Sequence, residues 1–197
     1  MPIPDEGHLK AVEHFRPKSI FKSLTNDWGN LLLACPQCNG KKSNKFPLAL
    51  SNKVKEAKVL HTKYDALKNK KVRTLLIDPT RVDPEKHLDF KCRDPLEDDF
   101  GLICPKKASR YGKHTIKVVG LSDGFYLRRH RTYLRKTLLP AYFRMSEAAD
   151  HDDQNTLDSH KRDFEAYMSA LSEWSGLARA FARQYGIDKY DISIPIN

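Results

Sequence analysis

The apolar positions of this chain change their spacing several times, and each change marks an element. From Ser51 to about Lys71, the residues Val54, Ala57, Leu60, Tyr64 and Leu67 recur at helical intervals behind a Ser/Asn cap, which predicts a helix with a lysine-rich outer face. Between Thr74 and Cys104 that period breaks up: LLIDP, a VDP turn, HLDFKC and FGLICP read as short strands and turns punctuated by prolines. A second helix is predicted from about Phe125 to Met145, with Leu127, Leu134, Leu138, Ala141 and Met145 on one face and Pro140 placed to kink it. Arg128, Arg129, Arg131, Arg135 and Lys136 fill most of its other face. The acidic stretch Glu147 to Asp153 is the candidate linker. After it, Leu157, Phe164, Met168, Leu171, Trp174, Ala178, Phe181 and Tyr185 predict one last helix, with Gly186 as its C-terminal cap. Residues 1–50 differ from all of this. They carry only short apolar stretches, at Ala11 to Val12 and Leu31 to Ala34, between single His, Asn, Cys and Lys residues at turn-like positions. The division expected is a small, ligand-dense module over 1–50, then an α-rich extension with short strands over 51–197 that binds nucleic acid, a partner or both.

Composition narrows the partners. The 197 residues carry a formal charge of +10, which favours polyanions through long-range attraction and counterion release. No apolar run approaches the roughly 18 residues a membrane span requires, so no membrane role is expected. The start, MPIPDEGHLK, lacks a basic segment followed by an apolar one, so a cytoplasmic, reducing location is expected. There, Cys35, Cys38, Cys92 and Cys104 are expected as thiols or metal ligands before disulfides.

Two segments hold the candidate chemistry: VEHFRPKS, Val12 to Ser19, and NDWGNLLLACPQCNGKKSNKFP, Asn26 to Pro47. Singly, each residue has a plain structural use, such as a hydrogen-bonded His14, a turn-shaping Asn30, or Lys41 and Lys42 on a solvated face. Together they resemble the HNH endonuclease superfamily: Glu13-His14, Pro17, Asn30-Leu31, Cys35 and Cys38, Asn39 and Lys42 follow its pattern. The second histidine of that pattern is replaced by Asn39, an H-N-N variant.

The resemblance implies an α+β chain in which a ββα-metal HNH nuclease module, with one divalent ion held between a hairpin and a helix, precedes a mainly helical C-terminal region. It implies His14 as general base, since imidazole titrates close to neutrality and can take a proton from water. Glu13 and Asn39 match the family's ligands for Mg²⁺ or Mn²⁺, an ion that suits hard oxygen donors. Asn30 matches the residue that orders the loop opposite the hairpin and holds the base in place. Arg16, Lys41 and Lys42 lie close enough in sequence to contact phosphates. In zinc-stabilised HNH modules Cys35 and Cys38 would be half of a four-cysteine site, the other pair lying ahead of the catalytic His. Residues 1–13 contain no cysteine. Three arrangements stay open: residues ahead of Met1 supply that pair, Cys92 and Cys104 complete the site, or no zinc is bound.

Further along, LLIDPTRVDPEKHLDF (Leu75 to Phe90), GLICP and HTIKVVGLSDGFYLRRHR resemble the HNH proteins of bacterial antiphage defence, the Septu PtuB type also found with retrons. That family works beside PtuA, an ABC-type ATPase, which is the protein partner implied; DNA and RNA remain alternative targets. Asp78 is expected to cap a turn before Pro79 in preference to reaching the metal. The alternative from another class is a non-catalytic adaptor that binds nucleic acid through a zinc-knuckle-like CPQCN and the arginine helix. Glu13-His14 with Asn30 and Asn39 argue against it, because a pure binder has no need to place them.

Overall fold

A computed structural model describes residues 11–50, 53–56, 74–170, 172 and 174–194. It divides into two compact units with interleaved chain: one takes in residues up to His87 together with Pro105–Leu121, the other Leu88–Cys104 and the chain from Ser122 on.

The first unit opens with a hairpin. Strand β1 (Ala11–His14) pairs antiparallel with β2 (Leu31–Ala34), setting Val12 opposite Leu33 and His14 opposite Leu31. Helix α1 (Pro36–Lys42) follows directly: Cys35 caps it, Pro36 occupies its first turn, where the missing N–H costs nothing, and Ser43 ends it at a positive φ of 45°. The order β–β–α is the one expected of the module. Strands β3 (Pro47–Leu50) and β4 (Lys53–Glu56) form a second antiparallel hairpin, and Thr74 bridges back to Leu48. The helix expected from Ser51 to Lys71 is therefore corrected at 53–56, where ladder pairing with β3 overrides helical periodicity; the rest of it lies outside the described residues. Asp78 caps its turn as expected, accepting from the Thr80 amide and hydroxyl.

The core of this unit gathers Phe15, Ile20, Phe21, Phe46, Leu48, Leu76 and Val118. Phe46 is fully buried, with Phe15 and Phe21 edge-on to it at 5.8 and 5.1 Å, the arrangement ring quadrupoles favour. Helix α2 (Arg110–Val119) supplies Val118; Ser109 caps its start and Gly120, at φ 73°, its end. The helix approaches the chain closely at Gly112, where an added Cβ would stand 2.2 Å from the His87 carbonyl oxygen. No helix was read from the sequence at 110–119.

The second unit is mainly helical. A two-stranded ladder, β5 (Leu88–Phe90) and β6 (Ile103–Pro105), falls within the HLDFKC and LICP segments expected as strands. Helix α3 (Gly124–Tyr133) runs through a π-helical stretch at Leu134–Leu138 into α4 (Leu139–Asp150). Pro140 cannot donate to the turn before it, and the widened register, with the Leu139 amide reaching the Leu134 carbonyl, absorbs that loss without ending the helix. Helix thus occupies the first four residues of the expected acidic linker, the break falling at His151 to Asp153. Asp153 caps α5 (Gln154–Met168) by accepting from the Thr156 amide. The single last helix is corrected to two: the chain leaves α5 at Ser169 and re-enters at Trp174, φ 61°, to begin α6 (Ser175–Tyr185). Gly186 caps α6 in the left-handed conformation, φ 59°. Phe164, Met168, Leu177 and Phe181 from α5 and α6 pack with Leu134, Leu138 and Met145. Among the described residues no helix is long and apolar enough to cross a membrane.

His130 shows what this core does to a polar group. Its ring lies edge-on to Phe90 and Trp174, its Nδ1 donates to the Gly101 carbonyl at 2.9 Å, and burial lowers its pKa to about 4. The unfolded chain takes up this proton near pH 6.5, whereas the folded chain resists it until about pH 4. Stability is therefore expected to fall as pH drops through that interval, by about 3 kcal/mol from this group. Denaturant unfolding at pH 7 and 4.5 measures it; a His130→Gln variant should show a flatter pH dependence, and equal slopes would contradict the assignment.

Candidate active site

Strand alternation separates the two residues at the end of β1. Glu13 turns toward the interior and is 7% exposed, whereas His14 is half-buried, on the face that carries exposed Val12. His14 Nε2 lies 3.0 Å from the Thr25 carbonyl oxygen. A carbonyl only accepts, so Nε2 carries the proton, and in the neutral ring Nδ1 keeps the lone pair a general base needs.

The loop that supplies Thr25 is itself held by Asn30. Buried at 2% exposure, Asn30 accepts from the Arg16 amide through Oδ1 at 2.7 Å and donates through Nδ2 to the Arg16 and Leu24 carbonyls at 3.0 and 3.1 Å. One side chain thereby closes residues 16–30 against the end of β1, while the Phe15 amide donates to the Asn30 carbonyl at 2.9 Å. Buried amides with every strong bond made are costly to replace. The Arg16 guanidinium lies over the Phe21 and Phe46 rings, 5.3 and 5.4 Å from their centroids.

From the α1 side come Asn39 and Lys42. Asn39 Nδ2 lies 3.5 Å from the Val12 carbonyl oxygen, the far limit of a hydrogen bond, which leaves its Oδ1 as an acceptor beside β1. Lys42, 5% exposed, donates to Glu13 Oε1 and, at 2.9 Å, to the His14 carbonyl. Burial lowers the Lys42 pKa against the opposing pull of Glu13. The lysine expected beside phosphate thus faces inward, bonded to the carboxylate expected to hold metal. Nothing in the sequence signals this pair: its members stand 29 residues apart and each has its own motif assignment.

The Glu13 carboxylate and the Asn39 amide oxygen are hard donors, and few in number. Oxygen donors of this kind suit Mg²⁺ or Mn²⁺, which keep several waters and take few protein ligands, but Glu13 is bonded to Lys42 and turns to the strand face opposite His14. Among the described residues no group of three or more His, Cys, Asp or Glu gathers. Cys35 Sγ accepts from the Cys38 amide at 3.2 Å, which ties the cysteine turn together, and neither is in a disulfide. Cys92 and Cys104 belong to the helical unit, where burial pushes the Cys92 thiol up to about 12 and raises that of Cys104.

The other expected cations are engaged to different degrees. The Lys41 stem lies beside Gly120. Arg131 donates to the Phe100 and Asp98 carbonyls and Arg135 to the Pro95 carbonyl, so both brace the loop at 95–100. Arg129 lies over the Phe125 and Trp174 rings, while Arg128 is exposed.

Residues 3–45 match the HNH endonuclease family. The chain is 32% identical over 126 residues to Septu protein PtuB of Bacillus mycoides (strain KBAB4), covering 57% of this chain and 38% of that protein. It is 45% identical over 40 residues to Septu protein PtuB of Bacillus thuringiensis, covering 20% of this chain and 16% of that protein. It is also 33% identical over 122 residues to Septu protein PtuA of the B. mycoides strain, covering 61% of this chain and 15% of that protein. The chain therefore spans less than half the length of the curated relatives it matches. No solved structure matches it.

Proposed function

We propose, from the match of residues 3–45 to the HNH endonuclease family, that the chain is a metal-dependent endonuclease hydrolysing phosphodiester bonds of DNA or RNA, acting in an antiphage system beside an ABC-type ATPase of the PtuA kind. The observation that carries the reading is His14, with Nε2 committed to the Thr25 carbonyl and Nδ1 left with its lone pair. In the reaction His14 Nδ1 takes a proton from water, the water oxygen forms a bond to phosphorus, the ester P–O bond breaks, and the leaving oxygen takes its proton from solvent. Asn30 keeps the base aimed by fixing the loop that holds it. Glu13 and Asn39 would hold Mg²⁺ or Mn²⁺, which supplies positive charge for the charge developing on phosphate. The similarity to proteins named PtuB and PtuA supports the antiphage setting and the partner.

Metal titration of cleavage tests the ligand set. Glu13→Gln and Asn39→Ala are each expected to raise the Mg²⁺ or Mn²⁺ concentration needed for half-maximal cleavage by about tenfold, since each removes one oxygen donor. Unchanged midpoints in both variants would remove these residues from the site. A structural zinc would need two ligands beyond Cys35 and Cys38.

Arg128 is the proposed phosphate contact on α3. Reversal to Glu is expected to weaken nucleic-acid binding across all sequences and to reduce the slope of log affinity against log salt by about one. Arg131→Glu should differ by also lowering thermal stability, because the Asp98 and Phe100 carbonyls lose their donor. Identical binding curves for wild type and Arg128→Glu would make α3 a solvated face.

A further inference from the structure

The stretch from Phe15 to Asn30 is built from both ends by the residues that hold the base, yet its most exposed large side chain takes no part in that construction. Trp28 is 86% exposed. Its backbone is fixed: it opens the short helical turn Trp28–Asn30, whose start is capped by Asp27 accepting from the Gly29 amide at 2.9 Å, and whose last residue is the buried Asn30. Exposing an indole costs solvation free energy that burial would recover, and a rigid turn holding it outward lowers the entropy lost when something stacks on it.

The surroundings indicate what that occupant is. Lys18 and Lys22 on the same loop are exposed, and the one acidic side chain between residues 15 and 30, Asp27, is turned back onto the Gly29 amide. On the adjoining hairpin, Val12 and Leu33 stand opposite each other at 63% and 61% exposure, on the strand face that carries His14. An exposed indole on a loop that carries two exposed lysines, leading into a hairpin whose exposed apolar pair shares its face with a proton-accepting imidazole, matches a nucleotide: phosphates for the lysines, a base for the indole.

Resting on the nuclease reading above, we infer that Trp28 is a stacking platform for an unpaired base of the substrate strand, a positioning residue that gives the site a preference for single-stranded or locally opened nucleic acid. Stacking on an aromatic side chain tolerates every base, because each has a π-face. The platform would therefore select strand state and leave sequence unread.

The test uses the full chain carrying His14→Ala, so that substrate is bound without being cut, and compares a single-stranded oligonucleotide with its duplex at one salt concentration. Trp28→Ala is expected to raise the Kd for the single strand by about five- to a hundredfold, with a smaller effect on the duplex and no loss of melting temperature. Trp28→Phe should keep most of the affinity. The sequence has one other tryptophan, Trp174, so quenching of intrinsic fluorescence by the single strand should largely disappear in Trp28→Phe. If Trp28→Ala binds the single strand as tightly as its parent while wild type cleaves nucleic acid, stacking is overturned and the nuclease reading stands. If wild type neither binds nor cleaves, both fall. If the substitution only weakens self-association or docking of another protein, Trp28 is a protein contact and the inference is wrong.

Discussion

Replacing His14 with Ala is expected to slow cleavage by about 10²–10⁴-fold, the range that loss of a positioned general base produces. The effect on folding should be small. His14 is half-buried and, among the described residues, its side chain makes a single hydrogen bond, to the Thr25 carbonyl; losing one such bond costs about 1 kcal/mol. Nucleic-acid affinity should also hold, because the cations remain. Rates measured at saturating substrate, with Kd and melting temperature measured on the same preparation, separate these effects. A variant retaining more than about a tenth of the wild-type rate would leave His14 with only its loop contact and remove it from the chemistry.

Lys42→Met is expected to destabilise the protein by about 3–5 kcal/mol, the cost of leaving a buried carboxylate without its partner. Glu13 is 7% exposed and Lys42 5%, and the lysine also donates to the His14 carbonyl, so its removal leaves one charge and one main-chain acceptor unsatisfied. Two comparisons make the origin visible. A Glu13→Gln/Lys42→Met double variant should recover a large part of the loss, because a neutral amide is less costly to bury than a lone charge. Added Mg²⁺ should recover part of it in the single variant, since a divalent cation bound by Glu13 would neutralise the same carboxylate. Unfolding free energies within about 1 kcal/mol of wild type for the single variant would mean that the pair is open to water in solution.

How much of this was legible in the sequence depended on range. The hairpin and helix of the module could be read because their signals are local: a proline at the start of α1, the cysteine turn before it, and two short apolar segments that become β1 and β2. Asn30 could be assigned its loop-ordering task from its place in the motif, and its three hydrogen bonds perform that task. The Glu13–Lys42 pair was not legible, because motif assignments treat residues one at a time and an ion pair is a property of two chain segments brought together. The same reason hid β4: the Lys53 to Glu56 segment fits a helical wheel by itself, and only pairing with β3 makes it a strand. Helix α2 carries only a weak sequence signal, although Ser109 and Gly120 are ordinary capping residues. Its close contact depends on Gly112, which in a sequence reads as a weak point in a helix and in the fold admits the His87 carbonyl. In the helical unit, Gly186 and the apolar face of the last segment were readable, whereas the break after Met168 was not, because no proline or glycine between Ser169 and Trp174 announces it.

The proposal that this chain cuts phosphodiester bonds with a divalent metal is tested most directly by following a labelled oligonucleotide with the purified protein, alone and with the proposed PtuA-type partner, in Mg²⁺ or Mn²⁺ and again in excess EDTA. The account predicts shorter labelled products in either metal, none in EDTA, and none in metal with His14→Ala. Products that persist in EDTA, or intact substrate in metal with the proposed partner present, would contradict it.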